Sequence, residues 1–331
     1  LGGASWLVVD EASQMPVPVL LALASLTHPS EGHVLAGGDH RQLACINAYD
    51  DASADLRPSF VRHLPFHTAY DYLLELHARA GSARVTVSRL SFSHRLNPVV
   101  RHLVSPIYEE DGITLSGCNP DPNELGAESG RTLDEVLCAI WKADEGLFLL
   151  VHNNEGCMKQ NALEARLIRQ LLDQGAQFGH VSPKDVGIIT PHKLQAEELR
   201  RQLQPRCSGS KAGRGLDSIE ASTVDKFQGD ERNTIIFSGC VSSVAGMASN
   251  EAFYTSPNRA NVAFTRAKHR LVVCCSEQLL SYLPVDPQRY SQMQLIKRLS
   301  HMCVDAGRLL FKGPIPWANG NMVRVYEGAM A

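Results

Sequence analysis

The stretch LVVDEASQ, residues 7–14, places two adjacent acids directly after an apolar run. Such a run is typical of a buried strand, and in a parallel α/β sheet the carboxyl end of a strand faces the crevice where ligands bind. In a nucleotide hydrolase, the first acid can hold Mg²⁺ through a water, and the second can orient the attacking water and remove its proton. The stretch predicts these roles for Asp10, as the metal ligand, and for Glu11. Two solvated carboxylates are the alternative.

A second apolar run, residues 33–36, leads into GGDHRQL, residues 37–43. The two glycines allow a tight turn, because glycine adopts backbone conformations that other residues avoid. Such a turn is expected to aim Asp39 and Gln42 into the same crevice as the acids. We expect Asp39 to contact a nucleotide and Gln42 to sense its terminal phosphate.

The rest of the chain alternates short apolar runs with segments of helical periodicity, which predicts an α/β fold with doubly wound parallel sheets. Strands are expected at residues 6–9, 33–36, 147–151, 186–190, 234–238 and 271–274, and helices at 17–26, 69–80, 162–173 and 194–203. We expect residues 1–84 to be the C-terminal part of a first domain with an incomplete sheet. Residues 85–285 are then a second, nearly complete domain, and residues 286–331 a C-terminal extension.

Composition narrows the classes of partner. The 331 residues carry 32 Lys and Arg against 35 Asp and Glu, so a polyanion must be held locally rather than by a strongly basic surface. The sequence has no apolar run near the ~20 residues of a membrane span, so no membrane role is expected. The nine cysteines form no CxxC pair, which indicates an intracellular protein without a zinc site or disulfide framework.

Several motifs of the chain occur in the same order as in a known family. DEASQ followed by GDHRQL resembles motifs II and III of superfamily 1 helicases. Residues 93–98 (SHRLNP) and 105–108 (SPIY) resemble an element of the nonsense-mediated-decay and Senataxin group. The resemblance implies RecA-like domains, and it implies that Arg95 contacts phosphates and that His94 lies where that group usually stacks a Tyr on adenine.

Two later motifs sharpen the resemblance. Residues 222–231 (STVDKFQGDE) are similar to motif V of the same group and form the most specific match. It implies nucleotide contacts from Gln228, Gly229 and Glu231, with Glu231 at the ribose. Residues 261–268 (NVAFTRAK) resemble motif VI, which implies that Arg266 is an arginine finger. A planar guanidinium suits this role, because the transferring phosphoryl group spreads its charge over several oxygens.

A polynucleotide track is implied by residues 188–195 (IITPHKLQ), which resemble a strand-to-helix element that contacts nucleic-acid phosphates. The N-terminus of a helix suits an anion, because its amide groups point outward. We expect Thr190, Pro191, His192 and Thr223 to line this track, with ordinary helix capping as the alternative. Three basic residues of a nearby loop are also candidates: Arg206, Lys211 and Arg214.

Together the resemblance implies an ATP-dependent helicase or translocase that uses ATP and Mg²⁺ and moves on single-stranded RNA or DNA, with 5′ to 3′ polarity, as a monomeric motor. The sequence contains no G-x-x-x-x-G-K-[ST] loop and begins without Met, so it reads as a fragment that is inactive alone. Two alternatives stay open. One is a non-catalytic nucleic-acid-binding or scaffolding protein that retains the fold, and the other is a nuclease–helicase fusion.

Overall fold

The computed structural model of the chain describes residues 3–43, 68–80, 85–118, 130–205, 215–227 and 229–330. The chain divides into two compact units, Leu1–Leu90 and Ser91–Ala331. This division lies six residues beyond the boundary expected from the sequence, and it assigns residues 286–331 to the second unit instead of to a separate extension. Each unit is described by itself below.

The first unit is built around a two-stranded parallel sheet. Strand β1 (Trp6–Val9) pairs with β2 (His33–Ala36) in register, as the apolar runs predict. This unit also contains a short 3-10 helix (Ala12–Gln14), helix α1 (Val17–Ala24) and helix α2 (Ala69–Ala80). Its small core contains Val9, Ala12, Leu20 and Ala69. This core fixes the end of β1, where the two acids follow.

The second unit contains the larger share of the secondary structure. Its elements, in chain order, are β3 (Phe92–Ser93), α3 (Pro98–Glu109), β4 (Ser116–Gly117), α4 (Leu133–Lys142), β5 (Gly146–His152), α5 (Ala162–Gln177), β6 (Val186–Thr190), α6 (Lys193–Leu203), β7 (Glu220–Thr223), β8 (Arg232–Ser238), α7 (Val244–Ser249), α8 (Glu251–Tyr254), α9 (Pro257–Thr265), β9 (Ala267–Ser276), α10 (Glu277–Ser281), α11 (Pro287–Gln292), α12 (Gln294–Ser300), β10 (Arg308–Pro314) and β11 (Met322–Glu327). The predicted strands and helices of this unit are all present.

A seven-stranded sheet in the order β10-β11-β5-β9-β8-β6-β7 forms the centre of the second unit. The five strands from β5 to β7 in this order are parallel. Helices α4, α5 and α6 pack together as one layer, and α3, α9 and α12 as another. All seven residues of β5 are buried, as expected for a parallel strand that is covered on both faces. The α/β, doubly wound fold predicted from the sequence is confirmed.

The last strands differ from the expectation of a separate extension. Strand β11 pairs antiparallel with β5, and β10 pairs antiparallel with β11, so this hairpin extends the main sheet. Before the hairpin, the chain forms α11 and α12, followed by a π-helical turn at His301–Asp305. The sheet is therefore mixed, with an antiparallel pair at one edge.

Candidate nucleotide and nucleic-acid sites

In the first unit, Asp10 and Glu11 lie directly after β1, at its carboxyl end. Glu11 has a left-handed backbone (φ 52°), which is uncommon for a residue with a side chain and turns the chain sharply. Its backbone N–H donates to Asp10 Oδ1 at 2.9 Å, and its carboxylate accepts a hydrogen bond from Gln14 Nε2, also at 2.9 Å. The two carboxylates are thus held at the strand end, as the sequence predicts.

The GGDHRQL segment lies at the carboxyl end of the neighbouring strand, β2. Gly37 accepts a hydrogen bond from the N–H of Ala12 at 2.8 Å, so the two strand ends are tied together. A Cβ on Gly38 would lie 2.9 Å from the backbone nitrogen of Ser13, which explains why glycine is needed at this close approach. Asp39 accepts hydrogen bonds from Gln42 Nε2 at 3.0 Å and from the N–H of Arg41 at 2.9 Å.

Asp10 has the properties that a magnesium ligand requires. Its side chain is exposed, and carboxylate oxygen is a ligand that Mg²⁺ prefers. Mg²⁺ is usually held by only one or two protein carboxylates, together with waters and substrate phosphates. Within the described residues no group of three or more His, Cys, Asp or Glu side chains could hold a metal ion. The exposed carboxylate of Asp10 has the chemistry of a ligand for Mg²⁺.

In the second unit, a cluster of charged residues surrounds Glu231. Arg95 Nε lies 2.8 Å from Glu231 Oε2, and Lys268 Nζ bonds the other carboxylate oxygen. The hydrogen bond from Lys268 and the positive charges of Arg95, Lys268 and Arg266 hold the pKa of Glu231 below its usual range. We name Arg95, Glu231, Arg266 and Lys268 the charge cluster. It joins residues from three of the predicted motifs.

Arg266 occupies a buried position within the charge cluster. It follows the last residue of α9, only 3% of its surface is exposed, and its Nε donates to the carbonyl of Val262 at 3.1 Å. This hydrogen bond orients the guanidinium from the helix end. The sequence motif predicted the role of Arg266 but gave no role to Lys268, although Lys268 lies two residues further on in the same motif.

The remaining predicted nucleotide contacts lie near this cluster in the sequence. His94 packs against Phe92, with ring centroids 4.6 Å apart and a tilt of 56°. Gly229 has a φ of +89°, a conformation that glycine adopts without strain. Gln228 lies outside the described residues, as do Arg206, Lys211 and Arg214 of the predicted basic loop.

The four residues predicted for the polynucleotide track differ in their exposure. Thr190 is fully buried, and its hydroxyl donates to the carbonyl of Ser238 at 3.1 Å; Pro191 and Thr223 are buried as well. The hydroxyl of Thr190 thus bonds within the sheet and does not face outward, contrary to the expected phosphate contact. His192, which immediately precedes α6, is partly exposed. Burial and the nearby charge of Lys159 lower the pKa of His192.

A buried polar network beneath this surface was not predicted. Glu164 on α5 is fully buried; its Oε1 lies 2.9 Å from His152 Nε2, and its Oε2 accepts hydrogen bonds from Ser238 Oγ at 2.6 Å and from the N–H of Cys240 at 2.9 Å. Cys240 has a left-handed backbone (φ 54°). Glu164 therefore anchors the turn that follows β8. The signal in the sequence is an acid on the apolar face of a predicted helix.

In the first unit, acids follow the ends of two adjacent parallel strands. In the second unit, which has a largely parallel sheet, basic side chains gather around the carboxylate of Glu231. Each feature is typical of an α/β protein of the RecA-like class. A family model described as "AAA domain" matches residues 71–278. The chain belongs to this family, within the superfamily 1 group of nonsense-mediated-decay and Senataxin-like helicases.

Named relatives share part of their length with the chain. It is 33% identical over 300 residues to the mov-10-B.2 protein of Danio rerio, which is named as a helicase, with 82% of this chain and 27% of the relative covered. It is 26% identical over 281 residues to the regulator of nonsense transcripts 1 homolog of Neurospora crassa, with 82% and 22% covered. The chain thus spans about a quarter of the length of these curated relatives.

Among solved structures, an arterivirus nonstructural protein 10 helicase in complex with DNA aligns over 89% of this chain and 42% of its own. The identity is 16% and the TM-score 0.35. Among the described residues, no helix is long and apolar enough to cross a membrane.

Proposed function

We propose that this chain is part of an ATP-dependent helicase or translocase that acts on single-stranded nucleic acid, RNA or DNA. The observation that carries the proposal is the charge cluster. Residues 95, 231 and 266 come from three separate motifs, and in the second unit their side chains share one local electrostatic environment around the carboxylate of Glu231. A gathered pair of guanidiniums is what the stabilisation of a transferring phosphoryl group requires.

In the proposed reaction, Glu11 orients a water for attack on the terminal phosphate, and Gln42 senses that phosphate. Asp10 would hold Mg²⁺, and the ion would supply positive charge that neutralises the phosphates. Arg95 and Arg266 stabilise the charge that develops on the phosphoryl oxygens, and Glu231 contacts the ribose. Asp39, His94, Gln228 and Gly229 complete the nucleotide contacts. His192 contacts the single-stranded nucleic acid. Three buried residues lie next to this contact: Thr190, Pro191 and Thr223.

The proposal is tested by ATP hydrolysis in the intact protein, measured with and without single-stranded oligonucleotides. We expect the strand to stimulate hydrolysis in the wild type. Arg266→Ala is expected to lower turnover by about a thousandfold or more, the scale typical of arginine fingers. Arg200→Ala, at an exposed position on α6, is the matched control and should retain normal turnover.

Wild-type protein without nucleic-acid-stimulated hydrolysis would overturn the proposal, and so would near-normal turnover in Arg266→Ala. Binding of a strand without any hydrolysis would instead support the alternative of a non-catalytic binding protein. We further propose that the 331 residues alone hydrolyse ATP very slowly, because their sequence contains no phosphate-binding G-x-x-x-x-G-K-[ST] loop.

A further inference from the structure

An aromatic and basic surface lies beside the start of α6 in the second unit. The rings of His192 and Phe253 are 6.1 Å apart, and the guanidinium of Arg259 lies over the ring of Phe253, 5.2 Å from its centre. All three side chains are partly exposed. We name His192, Phe253 and Arg259 the aromatic platform. None of the motifs described above assigns a role to Phe253 or Arg259.

The aromatic platform lies where parallel sheets bind ligands. His192 follows the carboxyl end of β6, and β8 ends beside it at Ser238, from which the chain continues through Gly239. The hydroxyl of the buried residue Tyr254 donates to the carbonyl of Gly239 at 3.0 Å and lies 3.4 Å from His192 Nε2. Tyr254 therefore fixes its neighbour Phe253 to this edge of the sheet.

Backbone hydrogen bonds hold the segment that leads from β8 towards α8 and Phe253. The N–H of Gly156 donates to the carbonyl of Ser242 at 2.9 Å, and the N–H of Ser242 donates to the carbonyl of Cys157 at 2.8 Å. These hydrogen bonds join the segment after β5 to the segment after β8. Glu164 anchors the same region from below through Cys240. A rigid support lets an aromatic surface bind without a large cost in lost flexibility.

Positive charge adjoins the aromatic platform. Lys159 is exposed, and the next residue, Gln160, donates to Glu198 of α6 at 3.1 Å, which places Lys159 near this helix. Burial and the charge of Lys159 lower the pKa of His192. Lys193, also exposed, is the first residue of α6, where the outward-pointing amide groups favour an anion. Arg259 Nε lies 3.9 Å from Asp225 Oδ1, which is longer than a hydrogen bond, so this ion pair holds the guanidinium loosely.

We infer that the aromatic platform stacks the bases of a single-stranded nucleic acid, with Lys159 and Lys193 holding the adjacent phosphates. Rings and guanidinium planes stack on any unpaired base, whereas a duplex keeps its base faces covered. The combination of stacking groups with nearby lysines therefore fits a single strand without sequence preference. This inference rests on the proposed function and assigns Phe253, Arg259, Lys159 and Lys193 to its substrate site.

The test uses the intact protein without nucleotide and a fluorescently labelled oligouridine or oligothymidine, with binding followed by anisotropy. Phe253→Leu removes the ring and retains an apolar side chain. We expect it to weaken binding by about fivefold to about a hundredfold, the range for loss of one stacked base. Phe253→Tyr keeps the ring and should bind as the wild type does.

The matched control is Phe178→Leu. Phe178 is 54% exposed and directly follows α5, the helix that returns from the carboxyl end of β5 to the start of β6. It therefore lies near the amino ends of the strands, on the side of the sheet opposite to the aromatic platform, and its replacement should leave binding unchanged. An oligonucleotide with abasic sites provides a second readout. On that strand, Phe253→Leu and wild type should bind equally, because no base is left to stack.

The lysines are tested by the salt dependence of binding. For a single strand, each phosphate contact contributes about 0.7 to the slope of log affinity against log salt. The double substitution Lys159→Ala and Lys193→Ala should therefore reduce the slope by about 1.4, whereas Lys184→Ala, exposed near the start of β6, should not change it.

Outcomes separate the two proposals. A wild-type protein that binds no single strand refutes the proposed function and the inference with it. Wild-type binding that Phe253→Leu leaves within twofold refutes the inference alone. A loss that persists on the abasic strand also refutes it, because the ring then acts through the fold and not through a base.

Discussion

Glu164 gives the sharpest test of how the second unit is held together. Its carboxylate accepts three hydrogen bonds in a region that excludes water, from His152, Ser238 and the N–H of Cys240. The backbone N–H of Asn154 donates to His152 Nδ1 at 3.2 Å, so the neutral ring carries its proton on Nε2 and donates it to Glu164. Every donor around the carboxylate is therefore fixed in direction.

The expected cost of Glu164→Ala follows from these contacts. Each of the three buried donors left without an acceptor costs about 1–3 kcal/mol, and part of this cost is offset because the substitution also removes a buried charge. We therefore expect the free energy of unfolding to fall by about 3–5 kcal/mol. For a unit of roughly 150–250 residues, this corresponds to a decrease of about 6–20 °C in Tm.

Glu164→Gln refines the test, because its amide retains one acceptor oxygen but adds a donor. That donor meets either the Nε2–H of His152 or the N–H of Cys240, so we expect a smaller loss of about 1–3 kcal/mol. Thermal unfolding followed by circular dichroism measures both variants. Glu197→Ala, exposed on the same layer of helices at α6, is the control and should change stability by less than about 0.5 kcal/mol. Equal Tm values for Glu164→Ala and Glu197→Ala would refute the reasoning.

Two further predictions concern the charge cluster and the aromatic platform. Lys268→Met removes the main hydrogen bond that lowers the pKa of Glu231. Because these side chains are about a third exposed, we expect the free energy of ATP binding to weaken by only about 1 kcal/mol, which is about a fivefold lower affinity. Titration of the intact protein with a fluorescent nucleotide measures this change. Lys268→Arg should retain the affinity, and an unchanged affinity in Lys268→Met would exclude a contribution of Lys268 to ATP binding. The lowered pKa of His192 means that the unfolded chain takes up its proton more readily, so the ring's contribution to stability is present above about pH 6.5 and lost as the pH falls through its folded pKa. His192→Gln should therefore make Tm less sensitive to pH below about 6.5 in scans from about pH 5 to 7.5, and an unaltered pH dependence would contradict this.

The central strands were predictable because each one is a short, continuous apolar run. Helix α3 was not predicted, and it contains Pro106 in its interior, a residue that usually interrupts a helix. The hairpin of β10 and β11 was also missed. Its partner strand, β5, lies about 170 residues earlier in the chain, and local sequence does not say which distant strand an edge will pair with.

The candidate site was predictable only where a motif defines a role. Resemblance assigned roles to Arg95, Glu231 and Arg266, and these roles stay predictions. The structure adds that the two arginines lie near the carboxylate of Glu231. The resemblance implied that the hydroxyl of Thr190 faces outward. In the structure this hydroxyl donates to the carbonyl of Ser238, at the end of the neighbouring strand β8. Glu164 was missed, because a buried acid is recognised only when its distant donors are known.

The antiparallel hairpin at the sheet edge has a consequence for the order of folding. Strand β5 exposes a full row of backbone donors and acceptors until residues 323–327 arrive to cover it. During synthesis the ribosome must add about 170 residues between these two strands, and an uncovered apolar strand is a template for association with other chains. The nascent chain therefore carries an uncovered strand edge, and with it a risk of aggregation, until residues 323–327 have emerged.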